Sequence, residues 1–359
     1  MFIYIVNFLF NMIFGFLLLN KKNSYSYNKR KKIYLIITTI QFGLLCGFRS
    51  TKMAYDTLNY EYIFDMTSNS LSTIFVNKSY VEIGFSILCT IIKVLGGNFQ
   101  TLLIVTSLFV MGCCCIFIYR HSRNVLLSVF LIISFPFYYS SFDIIRHFLA
   151  LSFFLLGYKF VESKEFFKFL LFIILGSFFH SISFVFIPFY FVKNVKYNFF
   201  SFILLITFAV FCYFKIEDVV FVISSFIGKN SYISTDWINS YGGGIKTAAM
   251  YFVVFVIGFL QYNNLRKKTI EDSTSLLYIL ILFVFSIIFI NARMMTRMIM
   301  SMIPLFAISM PNLLFNDNTI NKKYSSIYLF STLFIGIIYH AFMLITSWQN
   351  VVPYIPFWK

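Results

Sequence analysis

The feature that most constrains the fold is a series of apolar runs, each near the length of a membrane crossing. A helix needs about 20 residues to cross a hydrocarbon core about 30 Å thick. Twelve stretches approach that length: 2–19, 33–48, 99–119, 124–141, 144–161, 166–180, 181–193, 198–214, 246–263, 275–291, 297–315 and 325–346. The block 166–193 is divided in two because His180-Ser181 sits in its middle and Lys193 and Lys196 follow it. Pro188 is expected to kink its second half. Only 12% of the residues are charged, against about 25% in soluble domains. The chain is therefore predicted to be an all-α, polytopic integral membrane protein with one transmembrane domain over residues 1–359. The first stretch, Phe2–Leu19, ends in Asn20-Lys21-Lys22 without a small-residue cleavage site, so it is expected to remain as a helix.

Lys and Arg set the orientation. Loop 20–32 carries Lys21, Lys22, Lys29, Arg30, Lys31 and Lys32, which places it in the cytoplasm. Alternating from there puts Arg120/Arg123, Lys159/Lys164/Lys168, Lys193/Lys196, Arg266–Lys268 and Lys322/Lys323 on the same side. This works only if 81–95 does not cross. Its fifteen residues, with Glu82 and Lys93 near its ends, suit a re-entrant or interfacial helix on the outer side. The net charge of +16 is thus a topology signal, and no nucleic-acid-binding motif accompanies it. The outer face then receives two long loops, 49–80 and 215–245, and most of the residues able to do chemistry. The six cysteines lie in apolar stretches without metal-ligand spacing and read as buried thiols.

Four arginines sit in or beside apolar runs on that outer side: Arg49, Arg146, Arg293 and Arg297. Placing a guanidinium in hydrocarbon costs roughly 2.5–3.5 kcal/mol on insertion scales, so such residues face a protein interior or a wet cavity. Several together suit a polyanion, and the planar fork fits phosphate oxygens. Arg293 and Arg297 are spaced to share one helical face. Arg146 and His147 open a helix, where the bland alternative is a snorkelling interfacial arginine. His180 lies at the tip of a helix pair, where a hydrogen-bonded packing role competes with a chemical one.

On a helix, Asp56 and Tyr60 would share a face, as would Glu61 and Asp65. A carboxylate there can act as general base on a sugar hydroxyl or orient it, or it can be an ordinary solvated loop carboxylate. Asp143, three before Arg146, is spaced to pair with it. Gly242-Gly243-Gly244 is no phosphate-binding motif. It supplies flexibility, which suits a lid.

In order along the chain stand GFR with YDTLNY, then VEIGFSIL, IRHFLALS, FFHSISF, NARMMTRMIMSMIP and the tail VVPYIPF. This series resembles the EpsG family of bacterial Wzy-type polysaccharide polymerases, over about residues 40–355. His147 stands where the family more often carries Gln. The resemblance implies an enzyme that polymerises lipid-linked repeat units at the outer face of the bacterial cytoplasmic membrane. Undecaprenyl diphosphate would be the leaving group. It also implies a metal-independent glycosyltransferase without a cofactor, which agrees with the absence of a DxD-like motif. The expected architecture is about twelve transmembrane helices plus the outer helix, similar at fold level to the GT-C transferases.

The implied roles are Arg49, Arg146, Arg293 and Arg297 toward the diphosphate, with Arg49 supporting the pocket. Asp56, Glu82 or His180 would act on the acceptor hydroxyl, and Tyr60 and His147 would contact glycan. Expected partners are the lipid-linked glycan, membrane lipid, a chain-length regulator and a flippase, and no nucleic acid. A lipid-linked oligosaccharide flippase could use the same arginines, but no internal repeat of the transporter kind is visible. An O-antigen ligase differs only in acceptor. A membrane acyltransferase would need more than His180.

Overall fold

The computed structural model describes residues 1–20, 24–70, 81–193, 195–227, 244–290 and 296–359. Among them, apart from two isolated bridges, every regular element is helical. In chain order these are α1 (Phe2–Leu19), α2 (Ser24–Gly47), α3 (Thr57–Met66), α4 (Ile83–Val94), α5 (Phe99–His121), α6 (Val125–Ser134), α7 (Phe137–Ser140) and α8 (Ile145–Glu162). Then follow α9 (Phe166–Ser177), a 3-10 turn (Ser181–Phe186), α10 (Phe189–Val192), α11 (Phe199–Phe214) and α12 (Ile216–Ile227). The chain ends with α13 (Gly244–Asn263), α14 (Ile270–Ile288), α15 (Thr296–Leu314), α16 (Lys322–Ile345) and a single 3-10 turn, Trp348–Asn350.

Among the described residues, six helices are long and apolar enough to cross a membrane: α1, α5, α13, α14, α15 and α16. Shorter apolar helices coincide with parts of some remaining stretches. Two of the twelve stretches are not continuous α-helices. Residues 124–141 break into α6 and α7 at Phe135-Pro136, because proline forces its predecessor into an extended conformation (Phe135 φ −105°, ψ 170°). Residues 181–193 form the 3-10 turn and the short α10, separated around Pro188. The two long loops expected on the outer side also carry helices: α3 occupies part of 49–80, and α12 opens 215–245. Residues 71–80 and 228–243 lie outside the described residues, and so do Gly242 and Gly243 of the glycine run.

The helices form two compact units. One contains Met1–His121, Pro136–Tyr190 and His340–Lys359, and the other Ser122–Phe135 and Phe191–Tyr339. In the first, α2 packs on α1 and α5, α5 on α8, and α8 on α9. Its α1 leaves Phe2, Phe10 and Leu17 exposed, as a helix facing lipid chains would. In the second, α13, α14 and α15 pack in succession and α6 lies against α15.

Helix α15 is the enclosed one: its apolar stretch is 89% buried, against 22% for that of α1. It nevertheless contains Pro304 and Pro311. A proline has no N–H for the carbonyl four residues earlier. For Pro311 that carbonyl belongs to Ala307, and Ser128 on α6 donates its hydroxyl to it at 2.7 Å. A small polar side chain thus satisfies the backbone group that the proline leaves open. All six cysteines are free and buried.

Candidate functional site

The candidate site lies in the first unit and begins at α8. Its N-terminal turn presents Arg146, whose Nη1 donates to Glu82 Oε2 in an ion pair. Glu82 is the N-cap residue of α4, yet its side chain does not cap that helix. It reaches instead to the arginine. Both side chains are mostly enclosed, 17% and 16% exposed, and the Arg146 guanidinium also lies 5.8 Å from the Tyr60 ring centre on α3. The pair therefore joins three sequence motifs that are far apart along the chain. Asp143 turns elsewhere: its Oδ1 accepts the backbone N–H of Asp56 at 2.7 Å.

The next residue, His147, is buried at 1% exposure. Its ring meets that of His180 edge to face, with centres 5.8 Å apart. His180 is half-buried and begins the 3-10 turn, with Nδ1 accepting the N–H of Ile182 at 3.1 Å. Two glycines make this convergence possible. Gly84 on α4 donates its N–H to the Phe178 carbonyl at 2.8 Å, and a Cβ there would lie 2.7 Å from that oxygen. At Gly176 on α9, a Cβ would lie 2.5 Å from Ser183 Oγ and 3.0 Å from the Ala150 carbonyl. Ser183 in turn donates to the Ile173 carbonyl at 2.8 Å. VEIGF, IRHFLA and FFHSIS thus meet backbone to backbone.

Asp56 is the N-cap residue of α3, and its carboxylate makes no capping bond. Tyr60, one turn on, is buried against Phe85 at 5.7 Å between ring centres. Asp56 at the N-cap and Tyr60 in α3 are one turn apart, the Tyr60 N–H donating to the Asp56 carbonyl at 3.1 Å. The segment leading to Asp56 is held from two sides. Arg49 is completely buried (0% exposed), with Nη1 donating to the Cys46 carbonyl at 2.7 Å and Nη2 to the Phe142 carbonyl at 2.6 Å. It offers no exposed surface to an anion. It ties the C-terminal end of α2 to the turn that precedes Asp143.

The other side is the C-terminal tail, distant in sequence, with Tyr354 bonding Leu45 across 309 residues of chain. Ser50 N–H donates to Ile355 O at 2.8 Å, Phe357 N–H to Phe48 O at 2.9 Å, and Ala54 N–H to Asn350 O at 3.2 Å. Tyr4 and Tyr354 donate their hydroxyls to Val351 O at 2.8 Å and Leu45 O at 3.0 Å. Burial pushes the Tyr354 phenol up to about 12, so it stays a donor well into alkaline pH. Ala54 takes the left-handed conformation (φ 63°) at the clasp.

In the second unit, Arg297 lies half-buried in the first turn of α15. Arg293 lies outside the described residues, so the expected Arg293–Arg297 face is outside them too. Two residues of the site were not picked out as such from the sequence: Asp143, which was assigned to Arg146, and Gly84, which carried no chemical signal. The position of Gly84, two residues after Glu82, was the available clue.

Fold and site together define a polytopic helical membrane protein with an enclosed arginine–carboxylate pair at the meeting of its motifs. The chain belongs to the EpsG family, whose family model matches residues 32–355, and this family is associated with polysaccharide polymerases of the Wzy-like kind. No curated protein and no solved structure gives a significant match.

Proposed function

We propose that the protein joins undecaprenyl-diphosphate-linked oligosaccharide repeat units at the outer face of the bacterial cytoplasmic membrane. The observation that carries this reading is the Glu82–Arg146 pair, enclosed beside Tyr60 and one residue from the His147–His180 contact. An arginine held in place by a carboxylate can exchange that partner for a diphosphate oxygen, keeping its charge compensated throughout.

In the reaction, an acceptor sugar hydroxyl attacks the anomeric carbon of the donor glycan. The bond from that carbon to the diphosphate oxygen breaks, and the electron pair leaves with the lipid diphosphate. The hydroxyl proton passes to a carboxylate, Asp56 or Glu82. Arg146 stabilises the charge developing on the leaving group without a metal ion. Arg297 and Arg293 are proposed phosphate ligands on sequence grounds, and Arg49 acts as the support of the Asp56 segment. The Tyr60 ring is buried against Phe85 and beside Arg146, so it backs the arginine and does not offer a face to a sugar.

Deletion of the gene in the native host, followed by extraction of lipid-linked glycans, tests the reading. Loss of long polymer with single repeat units still present at the outer face is the expected result. Repeat units trapped on the cytoplasmic side would mean a flippase. Intact polymer that fails to reach its final acceptor would mean a ligase.

A further inference from the structure

Helix α3 has Asp56 at its start and sets Tyr60 beside Arg146, so its placement sets where the Asp56 carboxylate can reach. The last carbonyls of a helix have no partner within it. In α3 the N–H of Thr67 takes those of Ile63 and Phe64, at 3.1 Å each. Two that follow are taken by α4. Lys93 Nζ donates to the Asp65 carbonyl at 3.0 Å and to the Thr67 carbonyl at 2.7 Å, and it lies 5.1 Å from the Phe64 ring centre. Thr90, on the same face of α4, donates its hydroxyl to the Ser68 carbonyl at 3.0 Å. An ammonium at this end also suits the negative pole of the helix.

The opposite end of α3 is held by a different element. Asp143, itself 3% exposed, accepts the Asp56 N–H on Oδ1 at 2.7 Å. Asp143 thus fixes the place of the Asp56 backbone, and Lys93 fixes the direction of the helix that follows it. Helix α4 serves the site at both of its ends: Glu82 at the first meets Arg146, and Lys93 in the last turn meets α3. The ten residues of α3 rise about 15 Å. A tilt of about 4° over that length displaces one end against the other by about 1 Å. A misplacement of about 1 Å can cost roughly 100-fold in rate.

We propose that Lys93 is a positioning residue of the reaction. It holds α3 at the end away from Asp56, and through the helix it holds the Asp56 carboxylate at the acceptor sugar hydroxyl, as base or as the group that orients it. The proposal rests on the polymerase reading for that hydroxyl; the tether itself does not. Lys93 touches backbone and a ring at the far end of α3, so its part is not proton transfer.

Full-length protein in lipid nanodiscs is compared with its Lys93→Met and Lys93→Arg variants. Methionine keeps an apolar stem beside Phe64 and removes the donors, whereas arginine keeps the charge and offers a fork to both carbonyls. Three quantities are read: hydrogen–deuterium exchange in the peptide that spans α3, binding of undecaprenyl diphosphate, and the initial rate of polymer formation from lipid-linked repeat units. In the methionine variant, exchange in the last turn of α3 should rise roughly tenfold, the scale of one lost hydrogen bond. Polymer formation should slow roughly 10- to 100-fold. Lipid-diphosphate affinity should stay within about threefold, because Glu82 lies at the other end of α4, about 16 Å away along the helix. The arginine variant should return the rate to within about threefold of wild type.

Three results would overturn the proposal. Unchanged exchange in the methionine variant would remove the tether. Raised exchange with a wild-type rate would leave Lys93 a helix cap alone. A fall in rate matched by an equal fall in lipid-diphosphate affinity, with arginine no better than methionine, would mark a general loss of fold. A wild-type protein that neither binds undecaprenyl diphosphate nor forms polymer would instead sink the polymerase reading, with the tether still judged by the exchange of α3.

Discussion

Arg49→Met is the substitution whose consequence follows most directly from the structure. The guanidinium is buried and bridges two carbonyls, those of Cys46 and Phe142. The first belongs to the last turn of α2, where carbonyls have no partner within the helix. Methionine fills similar space and removes a buried charge, which by itself is no loss. It also strands two buried acceptors, at about 1–3 kcal/mol each. The net effect expected is a loss of about 2–6 kcal/mol, a large share of the 5–15 kcal/mol by which folded domains are stable.

Arg49→Lys keeps the charge, but a single ammonium cannot span both carbonyls in the way the planar fork does. It should fall between wild type and Met. Detergent-solubilised protein heated and then passed over a sizing column gives the melting midpoint. The Met variant should melt about 5–10 °C lower, with polymer formation lost in cells even at permissive temperature because the Asp56 segment is no longer held. A Met variant that melts with wild type and fails only in lipid-diphosphate binding would refute the strut. It would show that Arg49 is itself a ligand of the diphosphate.

Other substitutions test the remaining contacts. Glu82→Gln keeps a hydrogen-bond acceptor for Arg146 but removes its counter-charge. Polymer yield should fall roughly 100-fold or more, the scale of a lost general acid or base, with a lower melting midpoint because the enclosed guanidinium loses its counter-charge; unaltered yield would exclude Glu82 from the chemistry. Gly84→Ala places a methyl group 2.7 Å from the Phe178 carbonyl, so α4 must move away from the His180 turn at a cost of about 1–3 kcal/mol, measurable as a lower melting midpoint. Tyr354→Phe removes the bond to Leu45 O and should cost about 0.5–1.5 kcal/mol. Burial raises this phenol, so its contribution is whole below the ordinary value of 10.0 and is lost as pH climbs toward about 12. The difference between wild type and Tyr354→Phe should therefore be flat through neutral pH and shrink only in strong alkali.

The membrane class and most helices were legible because apolar runs state themselves: α1, α5, α11 and α16 start or end within a few residues of the stretches read from the sequence. Breaks within apolar blocks were harder. His180 correctly marked one. The break at Pro136 was overlooked because its surroundings, SFPFYYSSF, remain apolar enough to read as a single span. Long-range pairing was not legible at all. Nothing local in VVPYIPF says that its backbone closes on GFRS, since ladder bonds are made by backbone groups that every residue possesses.

The arginines show which part of the ambiguity the sequence could have resolved. An arginine in an apolar setting announces a cost without naming the partner that offsets it. Position along the helix narrows the choice. At a helix C-terminus the unpaired groups are carbonyls, so an arginine just beyond α2, as Arg49 is, can be satisfied by the protein's own backbone. At a helix N-terminus the unpaired groups are N–H donors, which an arginine cannot use. Arg146 stands in the first turn of α8 and has taken a carboxylate from α4. Arg297 stands in the first turn of α15, so its acceptors likewise have to come from beyond the donors at its own helix end. By this criterion Arg49 is a strut, whereas Arg146 and Arg297 must draw their acceptors from outside their own helix ends, as the proposed diphosphate role requires. That division predicts opposite phenotypes: Arg49→Met should fail in stability first, whereas Arg146→Met and Arg297→Met should keep the melting midpoint closer to wild type and fail in lipid-diphosphate binding. Equal losses of stability in all three would show that position on the helix does not separate the two roles.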